Sequence, residues 1–247
     1  MVTIGEGVQR LQSAYSKGMP SKDIRLTARH IYSNLLTGRA TLLTQQSNKN
    51  QKINNTCYSL LSFVELEKAS VHEVSFAPAG CTVLKSKNKL PRLISGIDSM
   101  LFKSIVSLDG SLSFDLKEFE TIKYTKGSKF TSKKGKAYLR NGYLYVVNSS
   151  LKLKGISTEG LFYDPIEVMD FNIASGLCDN CACISAYDIE FPIDGNLFRT
   201  VIDIAYNETV LKFTQMSEDK KPNASDDNFV RGTAYKTNNL QTDDGNG

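Results

Sequence analysis

The sequence contains no tryptophan and only two histidines, His30 and His72, among its 247 residues. A serine or cysteine nucleophile needs a base within hydrogen-bond reach, and histidine most often serves as that base. The patterns around both histidines predict exposed positions, one on a long helix and one on a strand. No phosphate-binding glycine loop occurs, and no pair of carboxylates has a third catalytic partner. The sequence therefore predicts a protein that is not an enzyme and needs no cofactor.

Long hydrophobic runs are also absent. No stretch approaches the roughly 18–20 consecutive apolar residues of a membrane-spanning helix. The first residues lack the basic region and the apolar block that together form a secretory signal. We therefore expect no membrane partner and synthesis in a host cytoplasm.

The chain contains few cysteines, and their number, five, is odd. An odd count without a signal peptide argues against a disulfide framework. Three cysteines, Cys178, Cys181 and Cys183, are the weak candidates for a metal site. A tetrahedral zinc site would need a fourth ligand, which could come from Cys57, Cys81, His30 or His72. Because no second CxxC pair accompanies the cluster, we expect no bound metal and a loop with partly buried thiols.

Acidic residues are missing from two stretches, 24–64 and 121–158, although the net charge of the whole chain is only +4. The first stretch contains five basic residues, one of which is Arg39. Seven basic residues of the second stretch are candidates for contact with DNA or a protein partner: Lys123, Lys126, Lys129, Lys133, Lys134, Lys136 and Arg140. Such blocks attract polyanions through counterion release. An exposed hairpin or an acidic neighbouring subunit would use the same charges.

The N-terminal residues have apolar side chains at helical spacing. Val8 and Leu11 belong to a short predicted helix, and a longer helix follows that Ser21 or Asp23 can cap. The apolar stripe of the second helix runs for about six turns. Gly38 interrupts the stripe and marks either a bend or a close approach by another element. The two helices predict a helical hairpin.

Strand signals begin near residue 58. The two-residue turns Asp109-Gly110 and Asn141-Gly142 each separate two alternating runs, which predicts two β-hairpins. Between them, 125–135 reads as a loop, and the runs 151–156 and 166–171 predict further strands. A closing helix begins near Asp194, which can cap it.

Helices and strands that are segregated along the chain predict an α+β fold. An N-terminal helical hairpin and a C-terminal helix flank a largely antiparallel sheet, and an extended polar C-terminal arm follows. The predicted segments are an N-terminal helical region (1–56), a β-rich region with a basic hairpin loop (57–193), a C-terminal helix that packs on the helical region (194–216) and the arm (217–247).

The arm has too few apolar side chains to offset the entropy lost on ordering. Phe229, Val230 and Tyr235 stand in it as isolated anchors. Segments of this composition are flexible ends or arms that order against a neighbouring subunit. The second interpretation points towards assembly.

Several runs of the chain lack catalytic or ligand-binding motifs but are similar to runs in one known group of proteins. They include 26–32, 77–86, 164–168, 188–194 and 223–227. Together they resemble virion structural proteins of crAss-like tailed bacteriophages. The resemblance implies a ring of about twelve copies in the head-to-tail connector, a portal adaptor around the channel through which DNA passes. The implied partners are other copies of the chain, the portal protein, other connector or tail proteins and the passing DNA. The implied location is the neck or tail of the virion.

The basic block also fits a free nucleic-acid-binding module. That alternative needs aromatic side chains among the basic ones on an open surface. The available aromatics are Tyr124, Phe130, Tyr138, Tyr143 and Tyr145. Because tyrosines alternate with aliphatic residues over 143–146, one of the two sets is expected to pack inward. A zinc-dependent regulator is a third alternative.

Overall fold

The computed structural model describes residues 2–16, 27–70, 83–97, 101–124, 135–147, 153–176 and 185–218, except for the side chains of 123, 124 and 209–218. The described helices are α1 (Ile4–Tyr15), α2 (Ala28–Asn48), α3 (Phe119–Tyr124), α4 (Pro165–Ala174) and α5 (Gly195–Glu218). The described strands are β1 (Ser59–Lys68), β2 (Val83–Ser86), β3 (Phe102–Ser107), β4 (Phe114–Leu116), β5 (Gly135–Arg140), β6 (Tyr143–Val147) and β7 (Gly155–Gly160). This order of elements confirms the predicted α+β fold.

The seven strands form one sheet in the order β3-β7-β1-β2-β6-β5-β4. All neighbouring pairs are antiparallel except β4 and β5, which run parallel. The two edge strands, β3 and β4, follow each other along the chain. An isolated bridge between Val106 and Ser113 joins them. The sheet therefore curls until its two edges meet.

A hydrophobic core fills the inside of the curled sheet. Leu61 of β1, Leu144 and Val146 of β6, and Ile156 of β7 are fully buried in it. A second, smaller core lies on the outer face, where Ile122 of α3 packs with strand residues of the sheet. Both cores are built from side chains of the sheet, so the strands have two apolar faces over part of their length.

The predicted Asn-Gly hairpin is confirmed. β5 and β6 pair in antiparallel register, with Arg140 opposite Tyr143 at the turn. Asn141 and Gly142 have φ values of +53° and +80°. Two successive positive φ values define the turn whose twist suits a β-hairpin, and Asn and Gly are the residues that adopt them most readily.

The predicted Asp-Gly turn forms, but the two strands that flank it, β3 and β4, hardly pair with each other. Gly110 has a φ of +70°, and the Ser107 amide donates to the Leu112 carbonyl at 2.9 Å. Beyond the single Val106–Ser113 bridge, β3 pairs with β7 and β4 pairs with β5. The expectation of a full hairpin is therefore wrong, because each strand has a longer ladder on its other side.

The strand predicted at 166–171 is wrong, since these residues belong to helix α4. The Asp164 carboxylate accepts a hydrogen bond from the Ile166 amide at 2.8 Å, and Pro165 occupies the first turn. An Asp cap followed by Pro is a helix-start signal. The apolar run that follows the cap was mistaken for a strand.

Helix α2 begins at Ala28, and the Thr27 side chain caps it by accepting from the His30 amide. The cap candidates Ser21 and Asp23 lie outside the described residues. Gly38 marks a close approach rather than a bend. A Cβ atom placed there would lie 3.0 Å from the Val201 carbonyl oxygen of α5.

The chain divides into two compact units, Met1–Ala205 and Tyr206–Gly247. The first contains the sheet, α1 to α4 and the beginning of α5. The described part of the second is the continuation of α5 to Glu218. The segment boundaries predicted from the sequence stay a prediction. No described helix is long and apolar enough to cross a membrane.

Candidate assembly surface

The basic block of the sequence is only partly within the described residues. Lys126, Lys129, Lys133 and Lys134 lie outside them, and Lys123 belongs to α3 with its side chain undescribed. Lys136 on β5 is only 8% exposed, which does not suit direct contact with a large ligand. Arg140, at the tip of the β5–β6 hairpin, is exposed. Of the seven candidate contact residues, Arg140 is the one that the described structure presents at the surface.

Two of the tyrosines that could have stacked on bases are buried. Tyr138 and Tyr145 stack on each other with ring centroids 4.8 Å apart and planes 7° apart. Leu144 and Val146 are fully buried on the opposite face of β6. The expectation that one of the two alternating sets packs inward is confirmed, and the other face of the strand is covered as well, since Tyr145 is 3% exposed. Tyr124 and Phe130 lie outside the described side chains.

Other basic side chains lie on aromatic rings at the surface. The Lys85 Nζ atom is 4.1 Å from the centre of the Tyr143 ring, and Lys89 Nζ is 5.9 Å from it. The Arg140 guanidinium lies 5.1 Å from the centre of the Phe119 ring. Cation–π contact orients these charged groups over the rings. Sequence reasoning missed Lys85 and Lys89, which are separated from Tyr143 by more than fifty residues along the chain.

A groove runs beside the tip of the β5–β6 hairpin, and we call it the hairpin groove. It consists of two neighbouring cavities that share Leu139. The first has a volume of about 470 Å³, and Leu101, Leu116 and Phe119 supply much of its apolar lining. The second has a volume of about 320 Å³, and its charged lining residues are Arg92 and Arg140. Lys117 and Glu118 also line the first cavity, so both cavities combine apolar and charged side chains.

The first cavity of the hairpin groove lies beside Leu101, which precedes β3, and Leu116 of β4. In the described part of the chain, these two strands are joined by the isolated Val106–Ser113 bridge.

A buried arginine fixes the elements behind this surface. Arg39 of α2 is 0% exposed, which corrects its interpretation as one of the surface charges of the acid-free stretch 24–64. Its guanidinium donates to the carbonyls of Phe162 at 2.7 Å, Pro192 at 2.8 Å and Cys57 at 3.0 Å. Burial lowers the pKa of Arg39 to about 10. The residue binds three chain segments together instead of meeting a ligand.

A tyrosine and a carboxylate lie next to this arginine. The Tyr32 hydroxyl donates to Asp164 Oδ1 at 2.7 Å, and the same carboxylate caps α4. Burial, and then the hydrogen bond to Asp164, raise the pKa of Tyr32 above its ordinary value of 10.0. The hydroxyl therefore stays protonated and keeps α2 attached to the start of α4.

The cysteine and histidine candidates give no described metal site. Cys57 is a buried free thiol, and burial raises its pKa. His30 is exposed on α2. The cluster of Cys178, Cys181 and Cys183, together with Cys81 and His72, lies outside the described residues, as do Phe229, Val230 and Tyr235. Within the described residues, no three His, Cys, Asp or Glu side chains are placed to hold a metal ion.

Comparison with known proteins gives one family. The model of the family described as phage tail ring protein 2, of the crAss ring type, matches residues 8–228. Comparison with curated proteins gives no match. The family match covers well over half of the chain and includes α2 and all described strands of the sheet. The chain belongs to the phage tail ring protein 2 family of crAss-like phages, and the resemblance inferred from the sequence is confirmed at that level.

Proposed function

We propose that this protein forms a ring in the head-to-tail connector beneath the portal, through which DNA passes during ejection. The observation that carries the proposal is the match of residues 8–228 to a family of phage tail ring proteins. A tail ring protein is a structural component of the virion that assembles with other tail proteins. Twelve copies, a portal partner and a structural rather than catalytic role belong to the proposal.

A ring requires two different complementary surfaces on each copy, because its contacts run head to tail around an axis. The hairpin groove supplies one described surface with a distinct shape and charge. The polar segment 217–247 supplies a chain long enough to reach another protein. In this proposal Phe229, Val230 and Tyr235 are the anchors of an assembly arm.

The basic residues have a separate role in the proposal. Arg140 and the block of Lys123, Lys126, Lys129, Lys133 and Lys134 meet either the passing DNA or an acidic patch of the next protein in the stack, whereas the buried Lys136 does not. Clustered positive charges attract a polyanion with an affinity that falls steeply with salt. The burial of Tyr138 and Tyr145 removes two of the stacking surfaces that a free nucleic-acid-binding module would use.

The test is the mass of the full chain in solution, measured by multi-angle light scattering over a concentration series. The series is run with the protein alone and with a phage portal protein present. A defined high-order ring, formed alone or on the portal, supports the proposal. A strict monomer that ignores the portal and binds DNA with a steep salt dependence contradicts it and favours the nucleic-acid-binding alternative.

A further inference from the structure

We propose that the second cavity of the hairpin groove is a contact for the phosphate backbone of DNA, made by Lys89, Arg92 and Asn141. The inference rests on the proposed ring around passing DNA and names residues that meet that DNA. Lys89 and Arg92 lie outside both acid-free stretches of the sequence. The contact is therefore a product of the fold and not of a local run of basic residues.

The first argument is position. Arg92, Asn141 and Gly142 line the same cavity, whose volume is about 320 Å³. A Cβ atom placed on Gly142 would lie 4.0 Å from Lys89 Cδ, so Lys89 runs past the same hairpin tip. Lys89, Arg92 and Asn141 are all exposed. Two cations and one side-chain amide thus lie beside a single opening that has room for a phosphate group.

The second argument is charge. Within the described part of the chain, no carboxylate lies at ion-pair distance from Lys89 or Arg92, whereas Nζ of the nearby Lys87 lies 2.9 Å from Glu65. One acid lies close to the opening, since the Glu167 carboxylate accepts from the Arg92 backbone amide at 2.9 Å. The two cations outnumber this acid. The opening can therefore attract a phosphodiester.

The third argument is that the fold holds this segment in place before a ligand arrives. The Leu90 amide donates to the Gly142 carbonyl at 2.9 Å, and the Tyr163 amide donates to the Arg92 carbonyl at 2.6 Å. The Arg92 guanidinium lies 4.3 Å from the centre of the Tyr163 ring, a cation–π contact that orients it. Preorganised groups lose less conformational entropy on binding.

The cavity has buried apolar residues in its floor and exposed polar residues at its rim, which favours DNA over a protein partner. Leu90 and Pro91 are buried, and none of the exposed large hydrophobic residues described for the chain lines the cavity. The centre of a protein–protein interface is apolar and poor in charge. Interfaces with DNA are more polar and more positive, and Lys, Arg and Asn side chains commonly donate to phosphate.

The salt dependence of DNA binding tests the contact. The full chain is titrated against a short fluorescent duplex at roughly 50 to 200 mM salt, where the slope of log K against log salt counts phosphate contacts. Lys89→Gln with Arg92→Gln is expected to make the slope shallower by at least about 1.8, since each lost contact removes about 0.9. Lys89→Arg with Arg92→Lys keeps both charges and is expected to keep the slope. Melting curves verify that each variant is folded.

The matched control is Lys87→Gln with Lys103→Gln. It removes the same charge from two exposed lysines that are ion-paired, and it is expected to leave the slope unchanged. Glu167→Gln is expected to raise the affinity for the duplex, because it keeps an acceptor for the Arg92 amide and removes the acid. A change of opposite sign on the same surface could not come from a general loss of folding.

The outcomes separate this contact from the proposed ring. A shallower slope for the Lys89 and Arg92 pair, with assembly in light scattering unchanged, supports the contact. If the ring forms but this pair alters the slope no more than the control pair, the contact is wrong and the ring stands. If the pair weakens binding to the portal protein or to another copy while the slope stays constant, an acidic protein surface is the partner and the DNA contact is wrong. A chain that stays a monomer alone and with portal overturns the ring, while its slope still decides the phosphate contact.

Discussion

Arg39 carries its positive charge inside the protein and holds it with backbone carbonyls. Within the described residues no carboxylate lies at ion-pair distance from it, so the three carbonyls of Cys57, Phe162 and Pro192 supply its main compensation. Cys57 ends a short 3₁₀ helix, and Phe162 and Pro192 lie outside the helices and strands of the described chain. The guanidinium therefore substitutes for secondary structure where α2 meets the sheet.

Arg39→Met is expected to lower the free energy of unfolding by about 3–5 kcal/mol, because it leaves several buried carbonyls without a donor. Denaturation in guanidinium chloride measures the change. Arg29→Met is the control, since Arg29 is exposed on the same helix, and it should alter stability by less than about 0.5 kcal/mol. If Arg39→Met were as stable as Arg29→Met, the buried hydrogen bonds of Arg39 would make no net contribution to the free energy of unfolding.

Tyr32 gives the clearest pH effect. Tyr32→Phe is expected to lower the free energy of unfolding at pH 7 by about 1.5 kcal/mol, the contribution of a hydrogen bond to a charged group. Because the folded-state pKa of Tyr32 lies above its ordinary value of 10.0, its contribution is complete below pH 10 and is lost as the pH rises further. The stability difference between wild type and variant should therefore narrow above pH 10.

Denaturation curves at pH 7, 9.5 and 10.5 would measure this difference. Tyr187→Phe is the control, because Tyr187 is 48% exposed. It should change stability little at each pH. A Tyr32→Phe difference that stays constant with pH would show that the hydroxyl has no raised pKa in the folded protein.

At the scale of elements, the contact of α2 with α5 depends on one glycine. A Cβ atom at Gly38 would lie 3.0 Å from the Val201 carbonyl and 3.5 Å from the Ala205 side chain, so the helices can approach only without it. Gly38→Val is expected to cost about 2 kcal/mol of unfolding free energy, because the backbones must separate. Thermal and chemical denaturation would show the loss.

Gly195 provides the matched comparison, since a Cβ atom there meets nothing within 4 Å. Gly195→Val should change stability by no more than about 0.5 kcal/mol. If Gly38→Val were as well tolerated as Gly195→Val, the two helices would have to be less closely packed than this geometry shows.

The elements also show why local patterns predicted some pairings and not others. The Asn141-Gly142 turn and the strands beside it were predictable because the turn residues and the alternation lie in one short segment. The Asp109-Gly110 turn was equally clear, yet its strands take distant partners, and β7 lies some fifty residues further along the chain. Local signals specify a turn, whereas the competition between ladders depends on the whole sheet.

At the scale of the whole molecule, the family was predictable from the sequence, but the hairpin groove was not. The polarity of 217–247 and the runs shared with phage virion proteins are properties of sequence alone. The lining of the groove comes from residues 90–142, which only the folded sheet brings together. The alternation of apolar residues within β3 or within β4 does not show that the two strands stop pairing with each other.

Deletion of 219–247 tests the role of the arm, because it removes the polar segment and leaves α5 whole. The melting temperature is expected to change by less than about 2 °C, since so few apolar side chains are lost. The mass in light scattering is expected to fall from that of a ring to that of a monomer. Phe229→Ser, Val230→Ser and Tyr235→Ser in the full chain keep its length and charge, and together they should have the same effect on assembly. A deletion that instead unfolds the protein would place these residues in the core of the subunit and remove the argument for an arm.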